Sequence, residues 1–300
     1  MFTKQILKVV VLTIAVQMVL SCSLGSLSVR LSSVFIENRM ASLNRETDLK
    51  KVRLEFPENI RQLESLLAMD TSNKALHIYL AQAYYSYAFA FIEDREPQQA
   101  VALYFKAYQH ALQVLEIDGL SAPVLSGRTA ELRAQVGELP AESLAGLYWS
   151  ALSWAKLIET QQPNLLLLTQ LHKAAILMER VLQLDDTYHY AGPHLFFAVY
   201  YASSSGFSGE NTKRARNHFE RARKFNQSRS LMVDFLQIKY LGQEDNNKAP
   251  GLRKIIDAPD DLFPEQALMN AVAKFKASRL LSVTQNQVQA YNSSDLSDGM

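Results

Sequence analysis

Cysteine occurs once in 300 residues, at Cys22, which excludes an internal disulfide framework and every multi-cysteine metal site. Glycine (11) and proline (9) are scarce and Val/Thr alternation is sparse, so a β-sandwich or barrel does not fit. Neither sign of charge dominates: 31 Lys and Arg against 30 Asp and Glu leave a formal net charge of +1. A nucleic-acid binder would gather a basic excess on one face, so no nucleic-acid partner is expected. The chain has no HExxH, no GxSxG, no P-loop and no GxGxxG opening a helix; neither an enzyme nor a cofactor site is expected. The six histidines (His77, His110, His172, His189, His194, His218) include no pair at i, i+4, and no metal site is expected. What the chain does have is 48% apolar residues against 20% charged, enough to bury one large core or two small ones.

The first segment, MFTKQILKVVVLTIAVQMVLSC, carries Lys4 and Lys8 ahead of an apolar stretch from Val9 to Leu20. That stretch is shorter than the roughly 20 apolar residues of a membrane span and fits the core of a secretory signal peptide. Val19-Leu20-Ser21-Cys22 resembles a bacterial lipobox, which predicts acylation of Cys22 after removal of residues 1–21. Two or three acyl chains, at about 0.8 kcal/mol per buried CH₂, hold a protein stably on a membrane. No later segment is apolar and long enough to span, so the expected anchor is lipid. Residues 22–54 read as the lipid-anchored N-terminal segment, 55–284 as a helical domain, and 285–300 as a polar, flexible tail.

Within 55–284 a pattern recurs. Leu80-Ala81-x₂-Tyr84 is followed by Ala100-x₃-Tyr104; Ser150-Ala151-x₂-Trp154 by Ala174-x₃-Met178; Phe197-Ala198-x₂-Tyr201 by Ala215-x₃-Phe219. Small residues let the two helices of a hairpin approach closely, and an aromatic residue one turn away fills the wedge beside them. This is the tetratricopeptide pattern, and it predicts an all-α superhelix, a solenoid of helical hairpins. Ala81, Tyr84, Ala100, Ala151, Trp154, Ala198, Tyr201, Ala215 and Phe219 hold the packing positions. The period of about 34 residues is exceeded, so long insertions are expected at 93–99, 119–142, 161–168 and 203–212. A last pair is read at 252–256 and 264–281.

Three motifs go beyond the general repeat: Ala81-Gln-Ala-Tyr84-Tyr85-Ser-Tyr87-Ala88-Phe89; Leu147-Tyr148-Trp149-Ser-Ala151-Leu-Ser-Trp154; and Tyr200-Tyr201-Ala202-Ser203 leading through Gly206 and Gly209 to Arg214 and His218-Phe219. In order and context they resemble the TatT family, the tetratricopeptide lipoproteins associated with TRAP transporters. The resemblance implies a periplasmic lipoprotein beside a TRAP-type solute-binding protein, stacked as a homotrimer whose protomers are each pierced by an apolar channel. The implied role is to handle a hydrophobic or organic-acid small molecule. The alternative is a repeat scaffold lipoprotein for envelope protein assembly.

The residues themselves suit a greasy hollow. Tyr84, Tyr87 and Phe91 share one stripe of the helix around 75–91, with Tyr85 and Phe89 on the next, so that helix is buried or lines a cavity. Tyrosine and tryptophan pair an apolar body with a polar tip that wants a hydrogen bond. Tyr85, Tyr148, Trp149 and Tyr200 fall off the repeat's packing positions and are the expected cavity residues. His189-Tyr-Ala-Gly-Pro-His194 reads as a turn between helices. The basic run at Lys213, Arg214, Arg216, Arg221, Arg223 and Lys224, interrupted by Glu220, reads as a solvated face.

Overall fold

The computed structural model describes residues 36, 38–161, 165–203, 209–242 and 248–297. Cys22, the 1–21 signal segment and most of the expected tether lie outside the described residues. Within them the protein is all-α, with no strand. After a helical segment at 38–44 come α1 (Leu49–Leu67), α2 (Lys74–Tyr87), α3 (Pro97–Ile117), α4 (Ala122–Ser126), α5 (Thr129–Glu138), α6 (Leu144–Thr160), α7 (Leu165–Leu184), α8 (Tyr188–Ser203), α9 (Gly209–Phe225), α10 (Leu231–Leu241), α11 (Lys248–Ile256) and α12 (Ala267–Ser297).

Local chemistry starts these helices. Asp48 accepts from the amides of Lys50 and Lys51 at 2.9 and 3.2 Å, and Asn73 accepts from Leu76 N at 3.1 Å, each satisfying orphan donors of a first turn. Pro97 opens α3, where its missing N–H is harmless. Ser230 precedes α10 without capping it; the cap comes from α12, whose Asn270 accepts from Leu231 N at 2.9 Å and donates to Arg229 O at 3.0 Å.

Neighbours in sequence pack as neighbours in space, α2 on α3, α3 on α6, α6 on α7, α8 on α9, and α12 on α10 and α11. The contacts run through small residues: Ala81, Ala100, Ala151, Ala198 and Ala215 are wholly buried. Gly146 extends the device, since a Cβ there would sit 2.9 Å from Leu115 Cδ2 of α3. Tyr104 and Phe219 are wholly buried beside their alanines, Tyr84 and Trp154 nearly so, and Tyr201 is half-buried. The last helix returns to the first: α12 touches α1, and Lys276 of α12 meets Glu93 and Asp94 beyond the end of α2. The hairpins thus close into a ring.

Several boundaries differ from the sequence reading. The helical domain starts at Leu49, six residues before 55, with Pro57 inside α1. The 119–142 insertion folds into α4 and α5, which cover Leu120, Leu132 and Val136 against the core. Helix α10 went unread because its apolar residues run around its circumference without a helical stripe. The last helix continues to Ser297 rather than giving way to a tail at 285.

Candidate functional site

The hairpins frame a partly open cavity of about 440 Å³ with a mainly apolar wall. Helix α6 supplies its floor: Trp149, Leu152, Lys156 and Glu159, at i, i+3, i+7 and i+10, form one stripe. Helices α8, α10 and α12 close the opposite side with residues such as Phe196, Leu236 and Met269.

The end of α2 is shaped by a π-helical turn over Ala88–Ile92, in which Glu93 N donates to Ala88 O at 2.9 Å, five residues back. Such turns recur at functional sites because the extra residue re-aims the side chains beyond it. Here Phe89, Ala90 and Phe91 all line the cavity, and Glu93 is turned into a buried ionic node. Glu93 accepts from Lys156 Nζ at 2.7 Å, from Lys276 Nζ at 2.7 Å and from the Tyr104 hydroxyl at 2.6 Å. Lys156 also pairs with Glu159 at 2.8 Å, and Glu159 takes the Tyr240 hydroxyl. Lys239 stands 4.0 Å from Glu159, and Asp94 binds Lys276. Three ammonium groups face three carboxylates, so the node is neutral in itself.

Its titration follows from that crowding. Burial pushes the Glu93 carboxyl up, but Lys156 and Lys276 override it and hold the group at about 2. Burial likewise works against the Lys156 ammonium; the carboxylates of Glu93 and Glu159 beside it keep it protonated, well above its ordinary value. Burial raises the Tyr85, Tyr104 and Tyr240 phenols, which stay protonated. Lys156 and Glu159 reach the cavity wall, so the node forms the polar part of an apolar chamber.

A second polar feature comes from the start of α8. His189, Tyr190 and Ala191 all take left-handed backbone angles (φ 48°, 61° and 62°), which for non-glycine residues costs roughly 1–2 kcal/mol each. The surroundings hold the turn in place: Ala191 N donates to Thr187 O at 2.9 Å, and Asn226 Nδ2 donates to Tyr190 O at 3.0 Å. Gly192 follows directly beneath the Tyr148 ring, where a Cβ would lie 2.3 Å from the phenol oxygen. The turn delivers His189 to the cavity wall, edge-on to Trp149 (centroids 5.1 Å) and tilted on Tyr148 (5.4 Å). Burial pushes its imidazole down to about 4, so it is neutral at neutral pH.

The four aromatic residues singled out in the sequence, Tyr85, Tyr148, Trp149 and Tyr200, all line this cavity. Tyr85 bridges Trp149 (5.6 Å) and Phe89 (6.1 Å). Trp154 and Tyr201 lie away from it: Trp154 packs on Tyr108 at 5.4 Å, and its indole N–H reaches Gln170 at 3.4 Å. Tyr84 turns outward to Glu64 and Lys106. The basic run is not wholly a solvated face, because Arg223 donates to Asp234 at 3.0 Å and Gln237 at 2.5 Å and so clasps α9 to α10.

Sequence reasoning missed the pairing of four histidines. His77 Nδ1 lies 3.1 Å from His110 Nδ1, Tyr84 stacks on His110 at 5.8 Å, and Lys106 sits 4.9 Å over the Tyr84 ring. The same arrangement recurs with His194 and His218 at 3.0 Å, Tyr201 on His218 at 5.8 Å, and Arg214 5.6 Å over Tyr201. The signal was present as His-x₃-Ala-x₂-Tyr on the first helix and Lys/Arg-x₃-His on the second. In each pair one imidazole must donate and the other accept, and burial with the neighbouring ring pushes His110 and His218 down to about 4. Two nitrogens do not make a metal site, and no group of three or more His, Cys, Asp or Glu that could hold one occurs among the described residues.

Helical hairpins around an apolar, aromatic-walled cavity define the class of the fold as all-α. Among the described residues no helix is long and apolar enough to cross a membrane. Compared with known families, residues 45–287 match the TRAP transporter T-component family, and the chain belongs to it. It is therefore a TRAP transporter component, and that membership suggests a periplasmic or envelope location. A comparison with curated proteins gives no match.

Proposed function

We propose that this TRAP transporter component is a periplasmic lipoprotein, acylated at Cys22, that partners the solute-binding protein and handles a hydrophobic or organic-acid ligand in its internal cavity. The observation that carries the reading is the chamber itself: an apolar hollow of about 440 Å³ whose lining includes Tyr85, Tyr148, Trp149 and Tyr200. That volume lies in the range of small-molecule pockets. A core would prefer aliphatic residues to Tyr85, Tyr148, Trp149 and Tyr200, whose hydroxyl and indole groups want partners when buried. Closure of the ring by α12 also favours this reading over an open scaffold, since the inner face becomes a chamber instead of a groove for an extended peptide.

The test has two arms. The purified chain, immobilised and exposed to membrane extract, should retain a TRAP solute-binding protein. A Trp149→Ala variant should lose ligand-induced fluorescence quenching while its helical circular dichroism is unchanged. Retention of barrel-assembly or cell-wall proteins instead would refute the transport role, and joint loss of quenching and helicity would make Trp149 a packing residue.

A further inference from the structure

Two of the hairpins are bridged by imidazole, and the hairpin between them is not. His77 of α2 and His194 of α8 stand four residues before the wholly buried Ala81 and Ala198. His110 of α3 and His218 of α9 stand three residues after Ala107 and Ala215, also wholly buried. In the α6–α7 hairpin the same two places, counted from Ala151 and Ala174, hold Leu147 and Leu177, both wholly buried. Leucine therefore satisfies the packing of this contact. Replacing both members of a buried hydrogen-bonded pair by apolar residues is often neutral or stabilising, so packing alone does not call for histidine. The residue used twice is the one whose charge ordinarily changes near neutral pH.

The hydrogen positions follow from the partners. His77 Nε2 lies 3.0 Å from Thr71 O, an atom that only accepts, so Nε2 carries the hydrogen. The bare Nδ1 of His77 then accepts from His110 Nδ1–H at 3.1 Å. His194 Nε2 faces Asp186 Oδ2 at 3.5 Å, so its Nδ1 likewise accepts from His218 Nδ1–H at 3.0 Å. Each pair is left with one bare nitrogen, Nε2 of His110 or of His218. A first proton settles there without disturbing the bridge. A second puts hydrogens on both facing Nδ1 atoms, and two imidazolium rings with centroids 5.3 Å apart in one pair and 5.2 Å in the other repel. We infer that the two pairs are proton-operated latches: each keeps its hairpin closed while it carries at most one extra proton and releases it on the second. Tyr85 of α2 and Phe196 and Tyr200 of α8 belong to the cavity wall, so acidification loosens two sides of the chamber while α6 and α7 hold. The inference concerns control of the chamber and does not depend on what the chamber holds.

The neighbouring groups set the working range. At the first pair, Glu64 of α1 favours an imidazolium at His110 and Lys106 of α3 opposes it, while no charge of α6 acts on the ring. Tyr84 of α2 stacks on His110, and Asp70 and Lys74 at the start of α2 are engaged by Asn73 and Asp118. At the second pair, Asp186 favours charge on His194, and Arg221 of α9 opposes it on both rings. Arg214 lies over Tyr201, which stacks on His218. Glu179 of α7 pairs with Arg133, and Asp234 of α10 with Arg223. Burial outweighs the favourable charges and holds His110 and His218 at about 4 while the hairpins are closed. On opening, each returns toward its ordinary 6.5, so closure is fully supported above 6.5 and loses support as pH falls toward 4. For one histidine per latch the opening equilibrium then grows about twentyfold between pH 7 and 5.

The test follows amide exchange of the purified chain at pH 7, 6 and 5 by mass spectrometry, with rates scaled to those of the unfolded chain at each pH. Protection in α2–α3 and in α8–α9 should fall about twentyfold from pH 7 to 5, while that in α6–α7 should change by less than about threefold. His77→Leu with His110→Leu, which copies Leu147 and Leu177, should remove the fall in α2–α3 and leave it in α8–α9. His194→Leu with His218→Leu should do the reverse. Should either leucine pair unfold the chain at pH 7, His110→Asn and His218→Asn take their place, since an amide donates or accepts and keeps the bridge whatever the charge. Imidazole nitrogen NMR shifts at pH 7 give an independent readout: hydrogen on Nδ1 in His110 and His218, and on Nε2 in His77 and His194. Equal loss of protection in all three hairpins, a fall that survives in the substituted hairpin, or hydrogen on Nε2 of all four rings overturns the latches.

Discussion

Lys276 offers the sharpest test of how the ring is held shut. Its Nζ lies 2.7 Å from Glu93 Oε1 and 2.7 Å from Asp94 Oδ2, with the lysine side chain 3% exposed and that of Glu93 7%. Lys276→Met keeps the aliphatic stem but removes the charge, which leaves Glu93 with Lys156 and the Tyr104 hydroxyl. Stripping one partner from a buried ion pair destabilises by about 3–5 kcal/mol, and the remaining lysine puts the expected loss at about 3 kcal/mol. For a chain of this size that is a fall in Tm of roughly 6–12 °C. Urea denaturation followed by circular dichroism at pH 7 should be run on the parent, Lys276→Met, Glu93→Gln and the double variant. The double variant should recover at least about 1 kcal/mol relative to the sum of the two single losses, because the buried Glu93 carboxylate is then no longer left short of a partner. The pH profile gives a second check. Glu93, held at about 2 against an ordinary 4.5, contributes stability that is present above 4.5 and lost as pH falls toward 2. Without Lys276 that loss should begin at higher pH. A Lys276→Met protein within 0.5 kcal/mol of the parent, or strict additivity in the cycle, would refute the argument.

Gly192→Ala should lower Tm by several degrees, since its Cβ meets the Tyr148 phenol at 2.3 Å; Tyr148→Phe should not rescue it, because ring carbons remain at 2.7 and 2.8 Å. His189, held at about 4 against an ordinary 6.5, contributes stability that is full above 6.5 and lost as pH falls to 4. The share is roughly 3 kcal/mol, and urea titrations of the parent and His189→Gln at pH 7 and 4.5 should differ by that amount. Ala151→Leu, at a wholly buried helix contact, should cost about 1–3 kcal/mol through overpacking, read as a lower urea midpoint with an unchanged slope.

The parts of the fold that are local in sequence could be read from it. Ala81, Ala151 and Ala198 mark helix contacts because close approach demands small side chains at fixed spacing. Tyr85, Tyr148, Trp149 and Tyr200 stand out because they are large and amphipathic and sit off the packing positions. The ionic node was hidden because Lys276 and Glu93 are 183 residues apart and only closure of the ring brings them together. The π-turn left no trace, since Ala-Phe-Ala-Phe-Ile suits an ordinary helix equally well. His-x-x-x-x-His at 189–194 suggested a turn but not where its histidines go: His194 meets His218 across the hairpin, and His189 lines the chamber. Helix α10, which shows no apolar stripe, also has no start signal in its own sequence: the oxygen that accepts from its first amide belongs to Asn270, 39 residues away.

An open array of repeats melts from its termini, where the outermost unit has one neighbour instead of two. Here the outermost units are each other's neighbours. Within the described residues neither α1 nor the packed part of α12, up to about residue 281, is an outermost unit with a single neighbour, so amide exchange there should be as slow as in the middle of the array, and the ring should come apart all at once.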